Sequence, residues 1–473
     1  MGSERAEYMD MLSCVLDRES EQTLYEQLYR YIKGEIIAGR LVYETKLPSK
    51  RKLADYLKIS ENTIETAYVQ LVAEGYLEAK PRQGYFIAAN EDLVLVNTSK
   101  KTHQQKEKPV AWKYDFHPGK IDTEHFPFTK WRKYAKELID PQYHHLLLHG
   151  DRQGELVLRQ EIATYLYHAR GVKCLPEEII IGAGSEILLQ QLVSLMGDDI
   201  SYGVEDPGYH VISRILADQP NEVRPLQVDE DGVIVTDLEK QRINMMYTTP
   251  SNHFPYGYVL PVNRRVQLLN WASGQEGRYI IEDDYDSEFR YTGKSIPALK
   301  GMDSAGKVIY LGSFSKSLIP SLRISYMLLP NKLLKQYNQR YSYYHCTVSR
   351  IDQRILARFM MSGDFERHLN RMRKVYRRKL EKTMEILQPY SDRIRVIGEQ
   401  NGLHILLEVM NGIGENELLE RAASARINVY SLSSYSMTNW KVMRPKIVFG
   451  FAGIAEEELE SALKDLFTSW EII

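Results

Sequence analysis

The sequence predicts an α/β protein with three folded units, and three patterns along the chain carry this prediction. The first 90 residues hold amphipathic helices and two short strands, whereas the middle alternates short apolar runs with longer amphipathic stretches. Such alternation is typical of a mostly parallel sheet whose buried strands are joined by helices. A long basic helix and further strands then predict a smaller α+β unit. We expect an N-terminal domain over 11–89, a linker over 90–112, a large domain over 113–344 and a small C-terminal domain over 345–473.

Size and charge narrow the possible functions. A chain of 473 residues is too long for a single hydrophobic core. Its 43% apolar content is enough to form several cores. A net charge of −2 gives no overall attraction to nucleic acid, so a DNA-binding surface must be local. Without an apolar run of about 18 residues, no membrane span is expected. Three widely spaced cysteines, Cys14, Cys174 and Cys346, predict no metal site and fit a reducing cytoplasm.

The first predicted helix is amphipathic. Leu24, Leu28, Ile32 and Ile36 share one helical face, and Gly39 is placed to end the helix. This face predicts the start of a compact N-terminal core.

Two more helices and a hairpin complete the N-terminal unit. Ser49 is placed to cap a short helix, and Ser60 is placed to cap the next. The core-facing side of that last helix has the spacing expected of an amphipathic helix: Ile64, Ala67, Tyr68, Leu71 and Val72. Gly75 ends it, and strands over 76–79 and 84–87 follow. Three helices and a hairpin form a winged helix-turn-helix, whose third helix enters the major groove of DNA.

The run "LPSKRKLADYLKISENTIETAYVQLVAEGYLEAKPRQGYFI" resembles the GntR-type DNA-binding domain. The resemblance implies double-stranded DNA as a partner, with phosphate and groove contacts from the second and third helices and the wing. The implied contact residues are Ser49, Lys50, Arg51, Asn62, Thr63, Arg82, Gln83 and Gly84. The dense cationic run that includes Lys46 and Lys52 suits phosphate as well.

One position departs from that pattern. The family usually places an arginine after the serine that caps the third helix, but this chain has Glu61 there and Glu65 one turn later. Both carboxylates would repel phosphate, although Glu61 could accept a hydrogen bond from a cytosine amino group. Residues 17–90 hold eleven acidic and eleven basic side chains. The alternative is therefore a winged helix that contacts protein.

Three strand ends offer the groups that pyridoxal phosphate (PLP) requires: a lysine amine, a carboxylate for the ring nitrogen and an anion cradle. Strand 179–181 runs into small residues at a helix start, where backbone N–H groups can bind phosphate. Strand 279–281 leads to Asp283, and strand 308–311 leads to Lys316. Each signal has a simpler interpretation by itself, an exposed acidic loop or a solvated lysine.

Together these signals resemble a known family. "EDDYDSEFRY", with the lysine of "GSFSKSLIPSLRISY" 33 residues after Asp283, resembles fold-type I aminotransferases. The N-terminal unit and linker narrow this to the MocR/GabR regulators. The resemblance implies Lys316 as the catalytic Schiff-base lysine, Asp283 as the partner of the ring nitrogen, Tyr285 near the ring hydroxyl and Tyr209 stacked on the ring. The further implied cofactor contacts are Gly184, Ser185, Glu186, Asn252, Ser313, Ser315 and Arg323.

The resemblance also implies a function. We expect a cytoplasmic, nucleoid-associated transcription regulator that senses PLP, an amino-acid effector or both through an aldimine at Lys316. Arg444 is expected to clamp the effector carboxylate. Members that sense γ-aminobutyrate carry an arginine where this chain has Val211, so that ligand is not carried over.

Assembly and two alternative functions complete the expectation. A homodimer is expected, since paired half-sites need two DNA-reading domains, and the family resemblance implies a domain-swapped arrangement. One alternative function is an active aminotransferase with an accessory winged helix, although we expect weak activity at most. The other is a pure PLP sensor that controls vitamin B6 synthesis.

Overall fold

The protein is described by a computed structural model that covers residues 14–88, 111–438 and 444–473. It divides into two compact units, 1–109 and 110–473, which are described separately below. Most of the predicted linker, 90–110, lies outside the described residues.

The N-terminal unit is a winged helix-turn-helix. Its elements are α1 (Leu24–Ile37), α2 (Lys50–Leu57), α3 (Glu61–Ala73), β1 (Leu77–Lys80) and β2 (Gly84–Ile87). The two strands are antiparallel, and the first begins one residue later than predicted.

Both predicted helix caps are confirmed. The Ser49 hydroxyl accepts a hydrogen bond from the Lys52 backbone N–H at 3.3 Å, and the Ser60 hydroxyl accepts from the Thr63 N–H at 3.2 Å. Each bond satisfies a donor that would otherwise be unpaired at a helix start. The apolar faces of α1 and α3 then pack together. The fully buried residues of this core include Leu28, Ile32, Ile64, Ala67, Tyr68 and Leu71.

The larger unit alternates strands and helices, as predicted. Up to residue 340 its elements are β3 (Tyr114–Asp115), α4 (Phe128–Leu138), α5 (Leu156–Arg170), β4 (Ile179–Gly182), α6 (Ser185–Met196), β5 (Ser201–Asp206), α7 (His210–Leu216), β6 (Glu222–Asp229), β7 (Gly232–Val233), α8 (Val235–Lys240), β8 (Met245–Thr248), α9 (Val262–Ser273), β9 (Tyr279–Asp284), β10 (Val308–Ser313), β11 (Ser325–Leu328) and α10 (Asn331–Arg340).

Eight of these strands form one mixed, mostly parallel sheet. Their order is β4-β11-β10-β9-β8-β5-β6-β7, and the five from β10 to β6 run parallel to one another. β11 is antiparallel to both neighbours. Strands β4, β8 and β9 are buried along their whole length, because helices cover both faces of the sheet. The carboxyl ends of the parallel strands therefore meet at one edge, where open α/β sheets bind ligands.

The rest of the chain forms helices and a second sheet. Its elements are α11 (Arg350–Met361), α12 (Asp364–Leu387), β12 (Ile394–Ile397), β13 (His404–Val409), α13 (Glu415–Ser424), β14 (Ile427–Asn428), β15 (Tyr430–Ser431), β16 (Lys446–Gly450) and α14 (Leu459–Ser469). The antiparallel order β12-β13-β16-β15 makes a four-stranded sheet, and β3 pairs with β14.

Helix α11 belongs to the core of the larger sheet. Ile355, Leu356 and Phe359 are buried together with residues of α4 and α5. Helix α12 follows directly and continues into the core of the four-stranded sheet through Met372 and Tyr376. The predicted domain boundary at residue 345 stays a prediction.

Candidate functional site

The predicted DNA contacts lie on an exposed part of the winged helix. Arg51 is exposed on α2, Asn62 is exposed in the first turn of α3, and Thr63 is half-buried beside it. At the hairpin turn Arg82 and Gly84 both have positive φ and are exposed, as is Gln83 between them. These residues are therefore accessible to a partner.

The structure gives Glu65 a partner. Its carboxylate lies 2.6 Å from the Lys50 ammonium group, and this hydrogen bond raises the pKa of Lys50. Lys50 therefore offsets the acidic side chain on the recognition helix. Glu61 is exposed and forms no ion pair within the described residues.

We predict that Arg51→Ala weakens DNA binding evenly across sequences and lowers the salt slope. If Arg51 neutralises one phosphate, the slope of log affinity against log salt falls by about one. Fluorescence anisotropy on a random duplex at several salt concentrations measures this slope. Arg30→Ala is the control, because Arg30 is an exposed residue of α1. Equal slopes for Arg51→Ala and the wild type would contradict the assignment.

Lys316 lies in the turn that follows β10. Its Nζ donates a hydrogen bond to the Pro118 carbonyl oxygen at 2.6 Å. Burial lowers the pKa of Lys316 below the ordinary lysine value, while the nearby Asp286 carboxylate opposes that shift. An amine in this position is a better nucleophile near neutral pH than a solvated lysine.

Asp283 is a buried carboxylate at the end of β9. The Tyr247 hydroxyl on β8 donates a hydrogen bond to Oδ2. Burial raises the pKa of Asp283 to about 7, although the Tyr247 bond lowers it. Among the described residues Asp283 has no ion pair, so a cationic ligand atom would complete its surroundings.

Asn252 connects two other residues of the site, Asp286 and Tyr285. Its Nδ2 donates to the Asp286 carboxylate at 2.8 and 2.9 Å and to the Tyr285 hydroxyl at 3.1 Å. The Tyr285 hydroxyl donates in turn to the Asn252 carbonyl oxygen at 3.0 Å. Asn252 Oδ1 is buried and has no hydrogen-bond partner in the described structure. A Cβ at Gly402 would stand 2.4 Å from Asn252 Nδ2, so the site requires glycine there.

A cradle of small residues and one ion pair surrounds the start of α6. Gly184 has a φ of 99°, and a Cβ there would lie 2.1 Å from Arg323 Nη2. Arg323 forms an ion pair with Glu186 at 2.6 Å. Ser185 is the first residue of α6, whose N-terminus favours an anion.

Two serines at the end of β10, Ser313 and Ser315, are further predicted contacts. The Ser315 N–H and the Ser325 hydroxyl both donate to Ser313 Oγ, each at 3.1 Å. Tyr209 lies nearby, with 42% of its side chain exposed. Burial, followed by the carboxylates of Glu186 and Asp283, raises the pKa of Tyr209. Asp283 and the serines follow the parallel neighbours β9 and β10, so they lie at one edge of the sheet.

Comparisons with known proteins follow this division of the chain. Residues 24–87 match the model of bacterial regulatory proteins of the gntR family, and residues 115–466 match the model of class I and II aminotransferases. The HTH-type transcriptional regulator YdeL of Bacillus subtilis is 43% identical, over 97% of this chain and 99% of its own length. The probable rhizopine catabolism regulatory protein MocR of Rhizobium meliloti is 31% identical, over 96% and 94%.

The chain belongs to the MocR family. Another relative, the pyridoxine biosynthesis regulator PdxR of Corynebacterium glutamicum, is 31% identical over 96% of this chain and 98% of its own. A kynurenine aminotransferase of Pyrococcus horikoshii has the same fold, with a TM-score of 0.67 and 22% identity over 76% of this chain and 90% of its own. This MocR-family chain is thus a DNA-binding regulator with an aminotransferase-like domain, and the predicted family and fold class are confirmed.

The residues of this MocR-family site fit PLP chemically. Among the described residues Asp283 has no cationic partner and Asn252 Oδ1 has no hydrogen-bond partner, while Gly184 leaves room beside Arg323. Lys316, Asp283, Tyr285, Asn252 and the cradle would hold the cofactor, and their individual roles stay predictions.

The structure does not bring Arg444 to this cluster. Arg444 is exposed, and its Nη1 lies 3.4 Å from Met410 Sδ. In the ladder between β13 and β16, His404 pairs with Gly450 and Glu408 pairs with Lys446. His404 faces the site, since its Nε2 lies 3.0 Å from the Pro255 carbonyl oxygen. Arg444 is therefore at the opposite end of this sheet.

Three site residues escaped the sequence analysis: Tyr247, Asp286 and Gly402. Asp286 lies inside the quoted motif "EDDYDSEFRY", which could have suggested it. Tyr247 lies in a strand that looked purely apolar, and only the parallel register of β8 and β9 places it beside Asp283. In the part of the chain that the structure describes, no metal-binding cluster occurs, and no helix is long and apolar enough to span a bilayer.

Proposed function

We propose that PLP binds covalently at Lys316 and that its occupancy controls how this regulator binds DNA. The observation that carries the proposal is that the ligand-binding edge of the sheet holds both an amine with a lowered pKa and a buried carboxylate that has no cationic partner among the described residues. These are two groups that an ordinary structural role leaves unexplained.

Each residue has a distinct task in this proposal. PLP supplies an aldehyde that a lysine amine can capture and a ring nitrogen that a carboxylate can hold protonated. Lys316 provides the uncharged amine, and Asp283 provides the negative charge. Tyr247 fixes the orientation of Asp283 by its hydrogen bond. Asn252 and Tyr285 hold each other in place beside Asp286, and Asn252 Oδ1, unpaired in the described part of the chain, is an acceptor for the ring hydroxyl.

The phosphate group has a separate place. The N-terminus of α6, with Gly184 and Ser185, offers backbone N–H groups, and Arg323 offers a cation. Arg323 is paired with Glu186 in the structure, so phosphate would compete with that carboxylate. Ser313 and Ser315 supply hydroxyl donors. Tyr209 offers an exposed aromatic face to the ring.

The cofactor itself is the favoured signal. Arg444, the predicted clamp for an effector carboxylate, lies away from the site. The core cluster that Tyr285 packs against is aromatic and apolar, with Phe254, Leu406, Tyr435 and Val448 buried together. PdxR, a relative named for pyridoxine biosynthesis, is consistent with this choice. An amino acid that engages Lys316 is the second candidate, through an amine that competes for the aldehyde.

We also propose a homodimer. Leu147, Leu148 and Tyr343 are large side chains with 77%, 68% and 74% exposure. They belong to one patch, because His149 and His345 stack with ring centroids 4.1 Å apart. An apolar patch of this kind marks a protein contact, and a second copy would also present a second DNA-reading domain. Light scattering measures the mass, and the domain-swapped arrangement stays a prediction.

DNA binding with and without PLP tests the function. Fluorescence anisotropy on duplexes from the region beside its own gene should give different affinities for the PLP-loaded and PLP-free protein. Differential affinity is required, because a ligand shifts an equilibrium only by binding its states unequally. Identical affinities on all duplexes, with PLP attachment verified, would overturn the regulatory role while leaving cofactor binding intact.

We predict that PLP attachment reaches its maximal rate at a lower pH than for a free lysine amine. The uncharged amine reacts, and its fraction rises about tenfold per pH unit below the pKa and then levels off. Because burial lowers the pKa of Lys316 from 10.5, the rate of attachment should level off at a lower pH than for the free amine. Stopped-flow absorbance measures the rate, and Nα-acetyl-lysine corrects for ionisation of PLP.

The variant Asp286→Asn tests the direction of this pH effect. The Asp286 carboxylate raises the pKa of Lys316, so its removal should move the plateau to a still lower pH. A plateau that coincides with that of Nα-acetyl-lysine would show that Lys316 is not shielded from water.

A further inference from the structure

A second cavity lies on the other side of the segment that follows β9. Its volume is about 420 Å³, and it lies between α5, α12 and residues 287–295. Its charged lining includes Arg170, which pairs with Asp284, and five further side chains, three carboxylates and two guanidinium groups: Glu161, Glu288, Glu366, Arg290 and Arg373. None of the predicted cofactor contacts lines it.

The opposite charges in this cavity do not neutralise one another. Within the described residues none of the five forms an ion pair, although 30 ion pairs occur elsewhere. Glu288 Oε2 and Arg290 Nε are buried atoms without a hydrogen-bond partner. Unpaired buried charges and polar atoms cost free energy, and a ligand that reaches them removes that cost.

The negative charges gather at one end. Burial and then the neighbouring Glu366 carboxylate raise the pKa of Glu161. An ammonium group between Glu161 and Glu366 would relieve their repulsion. Neither side chain makes a hydrogen bond to another described residue.

The positive charges lie farther along. Arg373 is seven residues after Glu366 on α12, which puts it on the same face and about 10 Å along the helix axis. Arg373 Nε donates to the Glu288 carbonyl oxygen at 2.8 Å, and Arg290 Nη1 donates to Asn401 Oδ1 at 2.8 Å. Both arginines are thus held in place with further donors free for a carboxylate.

We propose that this cavity is a second ligand site, which takes an extended amino acid whose ammonium and carboxylate groups are separated by several methylene groups. The ammonium group lies between Glu161 and Glu366, and the carboxylate meets Arg373 and Arg290. Glu288 Oε1 is held by the Tyr165 hydroxyl at 2.8 Å, and Oε2, unpaired in the described structure, is a further acceptor for the ammonium group.

The site is placed to influence the cofactor region. Glu288 and Arg290 lie on the segment that starts at Asp286. The Asp286 carboxylate accepts a hydrogen bond from Asn252. A ligand that holds Arg373 also holds α12, the helix that continues into the four-stranded sheet. Occupation of the cavity therefore fixes the segment between the two sites.

Calorimetric titration of the full-length, PLP-free protein tests the proposal, because without the aldehyde no added amine can react at the cofactor site. The probe is 6-aminohexanoate. The comparison ligands, called its matches, are hexylamine and hexanoate, which each lack one charged end, and the shorter β-alanine. We expect 6-aminohexanoate to bind at least about tenfold more tightly than each match, since only it reaches both charged ends. No saturable binding at millimolar concentration, or equal binding of hexanoate, would overturn the proposal.

Variants locate the binding. Glu161→Gln with Glu366→Gln should weaken 6-aminohexanoate binding about tenfold or more, and Glu366→Gln alone by less. The matched control is Glu381→Gln, an exposed carboxylate on the same helix outside the cavity. The proposal would also be overturned if Glu366→Gln and the double variant both bound 6-aminohexanoate as tightly as the unsubstituted protein. Unaltered thermal unfolding would show that both variants are folded. Because PLP takes no part, failure of cofactor binding leaves this result unaffected.

Discussion

Lys316→Ala should abolish covalent attachment of PLP to the protein. The wild type, mixed with PLP and reduced with borohydride, is expected to gain one cofactor per chain by mass spectrometry, and the variant none. The remaining cradle and Asp283 should still bind PLP, but reversibly and more weakly. No other described lysine combines a lowered pKa with a place at this edge of the sheet.

Two further variants separate chemistry from charge. Lys316→Arg keeps a cation beside Asp286 but has no amine that condenses with an aldehyde, so it should also remain unlabelled. Lys332→Ala removes an exposed lysine that is paired with Glu276, and it should label like the wild type. Labelling of Lys316→Ala at the wild-type level would contradict the assignment of this residue.

The same variant tests the link to DNA. If occupancy of the site controls the winged helix, PLP should change the DNA affinity of the wild type and have a smaller effect on Lys316→Ala. A PLP effect of equal size on both proteins would remove the covalent attachment from the regulatory mechanism while leaving the DNA-binding role in place.

The fold was predictable because its signals are local. Ser49 and Ser60 cap helices through bonds to residues three positions away, and a cap needs no distant partner. The strand that leads to Lys316 and the strand that leads to Asp283 were visible as apolar runs. The antiparallel strand β11 was not predicted, because its sequence is equally apolar and direction is set by the connection rather than by composition.

The site was less predictable because its contacts are distant in sequence. Tyr247 and Asp283 are 36 residues apart, and Lys316 and Pro118 are 198 apart. Arg444 shows the opposite problem: a matching motif predicted a role, but the register of β13 and β16 places the residue at the far end of the sheet. Spacing along the chain identifies candidates, whereas register decides which of them meet.

Asp283→Asn should weaken PLP binding and, in the PLP-free protein, raise stability. The carboxylate is 8% exposed, and burial raises its pKa from 3.8 to about 7. The stability that the protonated form provides is complete below about pH 4 and is lost as the pH rises to about 7. A pKa shift of three units corresponds to a loss of at most about 4 kcal/mol in the free energy of unfolding of the wild type. The asparagine variant does not ionise, so it does not suffer this loss. Asparagine Oδ1 can still accept from Tyr247.

Cofactor binding should change in the opposite direction. PLP loses a charged partner for its ring nitrogen, and a hydrogen bond to a charged group contributes about 1.5–3 kcal/mol, so affinity should fall about tenfold to a hundredfold. Thermal unfolding of the PLP-free proteins from pH 4 to 8 and equilibrium titration with PLP measure the two effects. The control Asp198→Asn changes an exposed loop carboxylate and should alter neither. A variant that is less stable at pH 8 and binds PLP normally would show that Asp283 serves the fold rather than the cofactor.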